Sequence, residues 1–265
     1  MTQFHDKSVL VTGALVGFGA AICHAFARRG ATLLAHDLVA ESDDKVAELE
    51  RSLIAAGAGA FRYVRADLAS RDEIHAMFTS LRSDGHAIDI LVNNAGIQKT
   101  SPVEDFDDDT WEKIVAVNLV AVHHCIKQSL PDMRRKGWGR IINLASVHGL
   151  VGSVNKTAYV AAKHGVVGLT KVIALEAARD GITANAICPG WTDTAIIAPQ
   201  IEAKGRAIGA NTREAAVEAL VSEKQPNGKL IDPAHIGELA AFLGSDAAEH
   251  MTGVSLPIDG GWTCV

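Results

Sequence analysis

With 265 residues, 48% of them hydrophobic and 21% charged, the chain has enough apolar surface for one large core. A net charge of −6 without a basic tract argues against nucleic acid, an acidic carrier protein or an anionic membrane as the main partner. Four widely spaced cysteines, Cys23, Cys125, Cys188 and Cys264, form no CxxC pair and point to reduced thiols in a cytoplasmic protein.

The first segment, "MTQFHDKSVLVTGALVGFGAAICHAF", mimics a signal peptide, with a lysine followed by an apolar run. Gly13, Gly17 and Gly19 within it, and the lack of a convincing cleavage site, favour strand, turn and helix instead. No run is expected to reach the length of a membrane span. Strands are predicted at 8–12, 32–37, 61–67, 89–93, 140–146, 182–188 and 254–259. Helices are predicted between them at 18–29, 42–56, 71–83, 109–136, 157–179 and 233–243. Apolar strands alternating with helices imply a single doubly wound α/β domain over 1–265. It would be of the Rossmann type, with a seven-stranded parallel sheet and helices on both faces. Residues 194–229 break the alternation and read as an insertion, helical in two pieces, with Gly205, Gly209 and Gly228 as hinges. It is either a lid over a ligand or an extra packing hairpin.

In such a sheet, ligands bind beyond the carboxyl ends of the strands. The turn after strand one holds Gly13, Gly17 and Gly19, which let backbone approach a pyrophosphate at a helix N-terminus. Strand two ends at Asp37, where a carboxylate accepts ribose hydroxyls and repels a 2′-phosphate. With no arginine beside it, NAD is favoured over NADP, the alternative being a helix N-cap. Asp67 ends strand three and either meets adenine or caps the next helix. The "NNAG" at 93–96 again permits close approach, and strand five runs into Ser146.

Together, "TGALVGFG", "NNAG", Asn118, Ser146, "YVAAK" (159–163) and "PGWTDT" (189–194) resemble the short-chain dehydrogenase/reductase family over nearly the whole chain. The resemblance implies a catalytic tetrad of Asn118, Ser146, Tyr159 and Lys163 and no metal. It also implies NAD contacts from Phe18, Leu68, Asn94, Gly96, Pro189 and Thr192 beside the glycines, Asp37, Asp67, Tyr159 and Lys163. Leu15 and Val16 depart from the small or hydroxylated residues often found in the glycine loop, which puts one phosphate contact in doubt.

Oxidising a secondary alcohol needs a base, and a free phenol with a pKa of about 10 is a poor one at neutral pH. Lys163 lies one helical turn from Tyr159, where its charge, with that of the oxidised nicotinamide, favours phenolate. Bringing the phenol to about 7 takes about 4 kcal/mol. Ser146 would hydrogen-bond the substrate oxygen. Asn118, by the resemblance, would hold a water that links Lys163 to solvent.

The stretches "NNAGIQ", "ASVHGLVGSVNKTAYVAAKHGVVGLTK", "ITANAICPGW", "PQIEA", "EKQP" and "DGGWT" are similar to family members that interconvert 3-hydroxybutyrate and acetoacetate with NAD. That similarity implies Gln98, His148, Lys156 and Gln200 around the substrate carboxylate. Trp191 would shape the methyl pocket, with a contribution from Trp262. An ammonium, two amides and an imidazole make a chemically reasonable anion clamp. The alternatives are another small hydroxy acid, a sugar acid or a polyol, and a dinucleotide-sensing protein without catalysis. The helix at 157–179 is apolar on more than one face, as a core helix or a subunit contact would be. Family analogy implies a homotetramer.

Overall fold

The structure, a computed structural model, describes residues 3–195 and 197–264. Met1, Thr2, Ile196 and Val265, which the expected domain includes and of which Ile196 also belongs to the expected insertion, lie outside the described residues.

The β-branched and aliphatic runs form strands and the longer amphipathic runs between them form helices. The order is β1 (Ser8–Thr12), α1 (Gly17–Ala27), β2 (Thr32–Asp37), α2 (Asp44–Ala56), β3 (Ala60–Arg65), α3 (Arg71–Ser83) and β4 (Ile90–Asn93). Then follow α4 (Asp108–Val115), α5 (Ala121–Lys136), β5 (Gly139–Leu144), α6 (Thr157–Ala177) and β6 (Ile182–Pro189). The last part holds α7 (Ala198–Ile208), α8 (Arg213–Val221), α9 (Pro233–Leu243) and β7 (Ser255–Ile258). The strands pair in parallel in the order β3-β2-β1-β4-β5-β6-β7.

The pleat sends alternate residues to opposite faces. Leu10, Leu34, Leu91 and Ile141 join Phe78 and Ile126 in one apolar layer, while Val9, Val11, Leu33 and Ile142 join Phe26 and Ile236 in the other. The chain winds from β1 to β3 and then restarts at β4 on the opposite side of β1, so the exits of β1 and β4 lie side by side. That reversal opens the crevice in which such sheets bind ligands.

Three expectations change. The single helix at 109–136 is two, joined by a π-helical turn at Ala116–Val120 that carries Asn118, a local widening that often marks a functional position. Thr157–Asp180 is, by length and composition, apolar enough to cross a membrane, contrary to the reading that no run is. In the structure its inner face, with Val166, Ile173 and Ala177, is buried in the core, and Leu175 on the other side is exposed. The insertion is helical in two pieces as expected, closing on its own small core of Ile197, Ile201, Ala216 and Leu220. Gly209 and Gly228 sit at turns with φ of 65° for each. Gly205, however, is inside α7, where an added Cβ would stand 3.1 Å from the Ala216 Cβ. It lets the two helices touch and is not a hinge.

Candidate active site

The glycine turn is shaped from both sides. Gly13 and Gly17 have φ of 65° and 56°, in the region open to glycine. The Asn94 side-chain amide donates to the carbonyls of Thr12 and Gly13 at 2.8 and 2.9 Å and so ties the exit of β4 to the turn. A Cβ on Gly19 would fall 1.9 Å from the Gly13 oxygen. Gly19 therefore lets α1 close onto the turn, and what it can offer the cavity is its backbone N–H in the first turn of α1. Helix α1 begins without a side-chain cap, which leaves its first N–H groups for an anion.

A cavity of about 600 Å³ runs over this turn. On the β2–β3 side it meets Asp37, Asp67 and Leu68, then passes Gly13, Gly17, Phe18, Asn94 and Gly96, and reaches Tyr159 and Lys163. Asp37 is no helix cap: Asp43 caps α2, and Asp37 accepts from the N–H groups of Leu38 at 2.8 Å and Leu15 at 3.3 Å. Asp67 is no helix cap either, because Ser70 caps α3; its Oδ1 accepts from the Ala69 N–H at 2.9 Å. The view that no arginine stands beside Asp37 is corrected. Arg65 is its register partner across β2 and β3, with Nε donating to the Leu38 carbonyl at 3.1 Å. Distance in sequence hid a neighbour that strand pairing supplies.

The expected tetrad converges at the far end. Ser146 ends the β5 exit, and its Oγ accepts from the His148 N–H at 3.1 Å. Tyr159 and Lys163 lie one turn apart on α6, and Lys163 Nζ donates to the Leu144 carbonyl at 2.6 Å. That ammonium stands 5.6 Å from the centre of the Tyr159 ring. Asn118, 0% exposed, accepts from the Ile97 N–H at 2.9 Å and donates to the Ile97 carbonyl at 2.8 Å. Both ends of its amide are engaged by the Ile97 backbone, which uses one of its two side-chain N–H donors. A Cβ on Gly96 would stand 3.2 Å from Asn118 Oδ1 and 3.8 Å from Lys163 Nζ, so the glycine keeps this corner open.

Burial pushes Lys163 down to about 8. It pushes the Tyr159 phenol up from its ordinary value, opposed by the Ser146 hydroxyl. A positive charge entering the cavity beside the ring would act against that rise.

A smaller cavity of about 80 Å³ adjoins the larger one and shares Phe18, Gln98, Ala145, Tyr159 and Thr194 with it. All of the expected clamp residues, Gln98, His148, Lys156 and Gln200, line it together with Trp191 and Trp262. Pro189 and Thr192, expected at the cofactor, line this smaller cavity and not the larger. Beyond them the chain comes back over the glycine turn, so that Asp193, Thr194 and Ala195 line the larger cavity and Thr194 lies against Gly17. Lys156 and His148 are 5% and 4% exposed. Lys156 Nζ lies 3.4 Å from His148 Nε2 and donates to Gln200 Oε1 at 3.2 Å. It also sits 5.1 Å from the Trp191 ring centre. Trp262 packs edge-on to His148 at 5.4 Å and tilted against Trp191 at 5.2 Å.

Burial and the nearby Lys156 hold His148 down at about 4, so the imidazole is neutral. Accepting at Nε2 leaves its proton on Nδ1, which has no partner among the described residues; the Trp191 indole N–H has none among them either. Burial brings Lys156 down to about 8, and among the described residues no carboxylate pairs with it. A buried cation flanked by donors of this kind is suited to hold an anion.

Two residues escaped the sequence reading. His36, 2% exposed, bridges the Gly13 N–H at 3.4 Å and the Ala66 carbonyl at 3.0 Å behind the glycine turn. A polar residue inside an apolar strand was its signal. Gln225, 0% exposed, holds the backbone of Trp191; it lies in the quoted stretch "EKQP", to which no role was assigned.

The larger cavity fits a nicotinamide dinucleotide: glycines floor it where side chains would intrude, an uncapped helix N-terminus faces it, and a carboxylate lies where a ribose would be held.

Comparison with known proteins agrees. The chain is 46% identical to a D-beta-hydroxybutyrate dehydrogenase from Cupriavidus necator, over 98% of this chain and 99% of that protein. It is 40% identical to one of the same name from Rhizobium meliloti, over 97% and 98%. Among solved structures it resembles a putative NAD(P)-dependent gluconate 5-dehydrogenase from Beutenbergia cavernae with bound NADP, at a TM-score of 0.87 and 33% identity. That match covers 100% of this chain and 99% of the other. The family model for short chain dehydrogenases matches residues 7–205. The chain is therefore a member of the short-chain dehydrogenase/reductase family of oxidoreductases, with a nicotinamide dinucleotide as cofactor.

Proposed function

We propose that this protein is an NAD-dependent dehydrogenase that interconverts 3-hydroxybutyrate and acetoacetate. The observation that carries the reading is Lys156, a buried ammonium with no carboxylate partner among the described residues, held by His148 and Gln200 beside Ser146 and Tyr159. A carboxylate seated there gains a charge-assisted hydrogen bond from Lys156 and a donor from His148 Nδ1. The cavity is small, so the acid must be short. The names of the two dehydrogenases at 46% and 40% identity support the same substrate. Asp37, which repels a 2′-phosphate, supports NAD over NADP even with Arg65 alongside.

When bound, the cofactor supplies a hydride acceptor for oxidation and a donor for reduction. Ser146 donates a hydrogen bond to the substrate oxygen and holds it against Tyr159. Tyr159 takes the hydroxyl proton at its phenolic oxygen as the alcohol is oxidised and returns it in the reverse direction. Lys163, anchored on the Leu144 carbonyl, keeps positive charge behind the phenol. Asn118 holds the backbone of Ile97 beside this corner. Trp191 and Trp262 cover the apolar end of the substrate and exclude water. The α7–α8 insertion acts as the lid, closed by the Arg213–Asp193 ion pair at 2.7 Å. Exposed Val172 and Leu175 on α6 suit a homotetramer, and four free thiols suit a reducing, cytoplasmic compartment.

The test is kcat/KM for 3-hydroxybutyrate, a 2-hydroxy acid and a neutral secondary alcohol on the wild type and on Lys156→Ala. The wild type should favour 3-hydroxybutyrate. The variant should lose about 2–5 kcal/mol of transition-state binding for the acid and little for the neutral alcohol. Equal losses would make Lys156 structural, and a wild-type preference for a sugar acid or polyol would replace the short-acid assignment.

A further inference from the structure

We propose that Gln225 is a positioning residue for substrate recognition and that the strap it begins, residues 225–228, sets how long an acid the site accepts. The inference rests on the reading of the site as one for short 3-hydroxy acids.

Gln225 is a polar side chain at 0% exposure on the return from α8. A buried amide is tolerated only when both of its ends are paired. Here Oε1 accepts from the Trp191 backbone N–H, and Nε2 donates to the Lys229 carbonyl at 2.7 Å. Its own N–H donates to the Val221 carbonyl at 2.8 Å, and its carbonyl accepts from the Gly228 N–H at 2.9 Å. The side chain thus joins the substrate-wall loop to the end of the insertion.

The same strap reaches the second tryptophan. The Asn227 N–H donates to the Gly260 carbonyl at 3.1 Å. A Cβ on Gly260 would stand 2.4 Å from Asn227 Oδ1, and one on Gly261 would stand 3.4 Å from Pro226. On the other flank, a Cβ on Gly190 would stand 2.4 Å from Gln225 Oε1. Glycines on both sides let the strap lie directly against the loop that carries Trp191 and the loop that carries Trp262. Beyond the strap, the Ile231 N–H donates to the Trp191 carbonyl at 2.9 Å, and the Asp193 N–H donates to the Ile231 carbonyl at 3.1 Å.

The Trp191 indole N–H has no partner among the described residues, and the ring is placed by its backbone and by packing against Trp262. The strap holds the backbone of one ring and presses on the approach to the other. It therefore sets the position of the wall that faces Lys156 and His148. An apolar pocket discriminates one methylene by about 10–200-fold, and only while its wall stays in place.

The experiment measures kcat and KM for 3-hydroxybutyrate and 3-hydroxypentanoate on wild type, Gln225→Met and Asn227→Ala, with the Kd for NAD on each. Methionine keeps the length of the side chain and removes both hydrogen bonds. Gln225→Met should raise KM for 3-hydroxybutyrate about tenfold, leave kcat little changed and narrow the preference for the shorter acid about tenfold. The affinity for NAD should stay at the wild-type value, because the strap does not line the larger cavity. Asn227→Ala alters an exposed side chain and should shift the chain-length preference in the same direction, by less. If wild type does not oxidise 3-hydroxybutyrate, the reading of the site fails whatever the variants do. If wild type does and both variants keep its chain-length preference, the strap proposal fails alone. Loss of NAD binding in both variants would assign the strap to the fold and overturn the proposal equally.

Discussion

Asp37 and Arg65 are register partners at the ends of β2 and β3, so an arginine stands beside the carboxylate that lines the larger cavity. Asp37 should make NAD strongly preferred by the wild type. Removing it in Asp37→Ala takes away both the acceptor for the ribose and the repulsion of a 2′-phosphate. Arg65 then remains to attract that phosphate, so activity with NADP should rise while activity with NAD falls. Adding Arg65→Ala should take the gained NADP activity away again. Steady-state kinetics with both cofactors decide the matter, and equal use of the two by the wild type would contradict it.

Tyr159→Phe keeps the ring and removes the oxygen that takes the proton. Turnover should fall at least about a hundredfold, the usual scale of general acid–base catalysis. NAD should still bind, because the glycine turn, Asp37 and Asn94 are untouched. Single-turnover absorbance of reduced nicotinamide, with a separate NAD titration, distinguishes loss of chemistry from loss of binding.

Lys156 predicts a pH effect and a stability effect of opposite use. Its ammonium is charged below about 8 in the folded protein. The ratio of kcat/KM for 3-hydroxybutyrate over a neutral alcohol should therefore fall as pH rises through 8, since only the acid uses that charge. A folded pKa brought down from 10.5 to about 8 also means that the buried charge destabilises the fold. Below 8 both folded and unfolded chains carry the proton and the cost is present in full; between 8 and 10.5 it shrinks; above 10.5 it is gone. Lys156→Met should accordingly raise stability at neutral pH by up to about 3 kcal/mol and lose that advantage in strong alkali. Denaturant unfolding at two pH values measures it.

Gly19→Ala places a methyl group 1.9 Å from the Gly13 oxygen, where backbone on both sides must move. The variant should lose about 1–3 kcal/mol of stability, as overpacked sites do, and bind NAD more weakly. Thermal unfolding and an NAD titration check both.

The alternation of apolar strands with amphipathic helices was plain in the sequence, because periodicity and turn residues are local properties. So was part of the expected tetrad: Tyr159 and Lys163 share a helix face by spacing alone, and Ser146 follows a strand that reads clearly, whereas Asn118 was named only through resemblance. The clamp was legible only through resemblance, since Gln98, His148, Lys156 and Gln200 come from separate segments that nothing local brings together.

What the sequence by itself determined was the set of strands and helices and the kind of chemistry at their ends. What only the tertiary structure decided were relations between segments distant in the chain. Arg65 became a neighbour of Asp37 through β-sheet register. Gly205 became a contact point through the crossing of α7 and α8, and Thr192 came to line the smaller cavity while Thr194 lines both. Gln225 gained its purpose only when the strap closed over Trp191. Local propensity acts over a few residues, whereas these positions are set by packing and hydrogen bonds among side chains that the fold alone brings within reach.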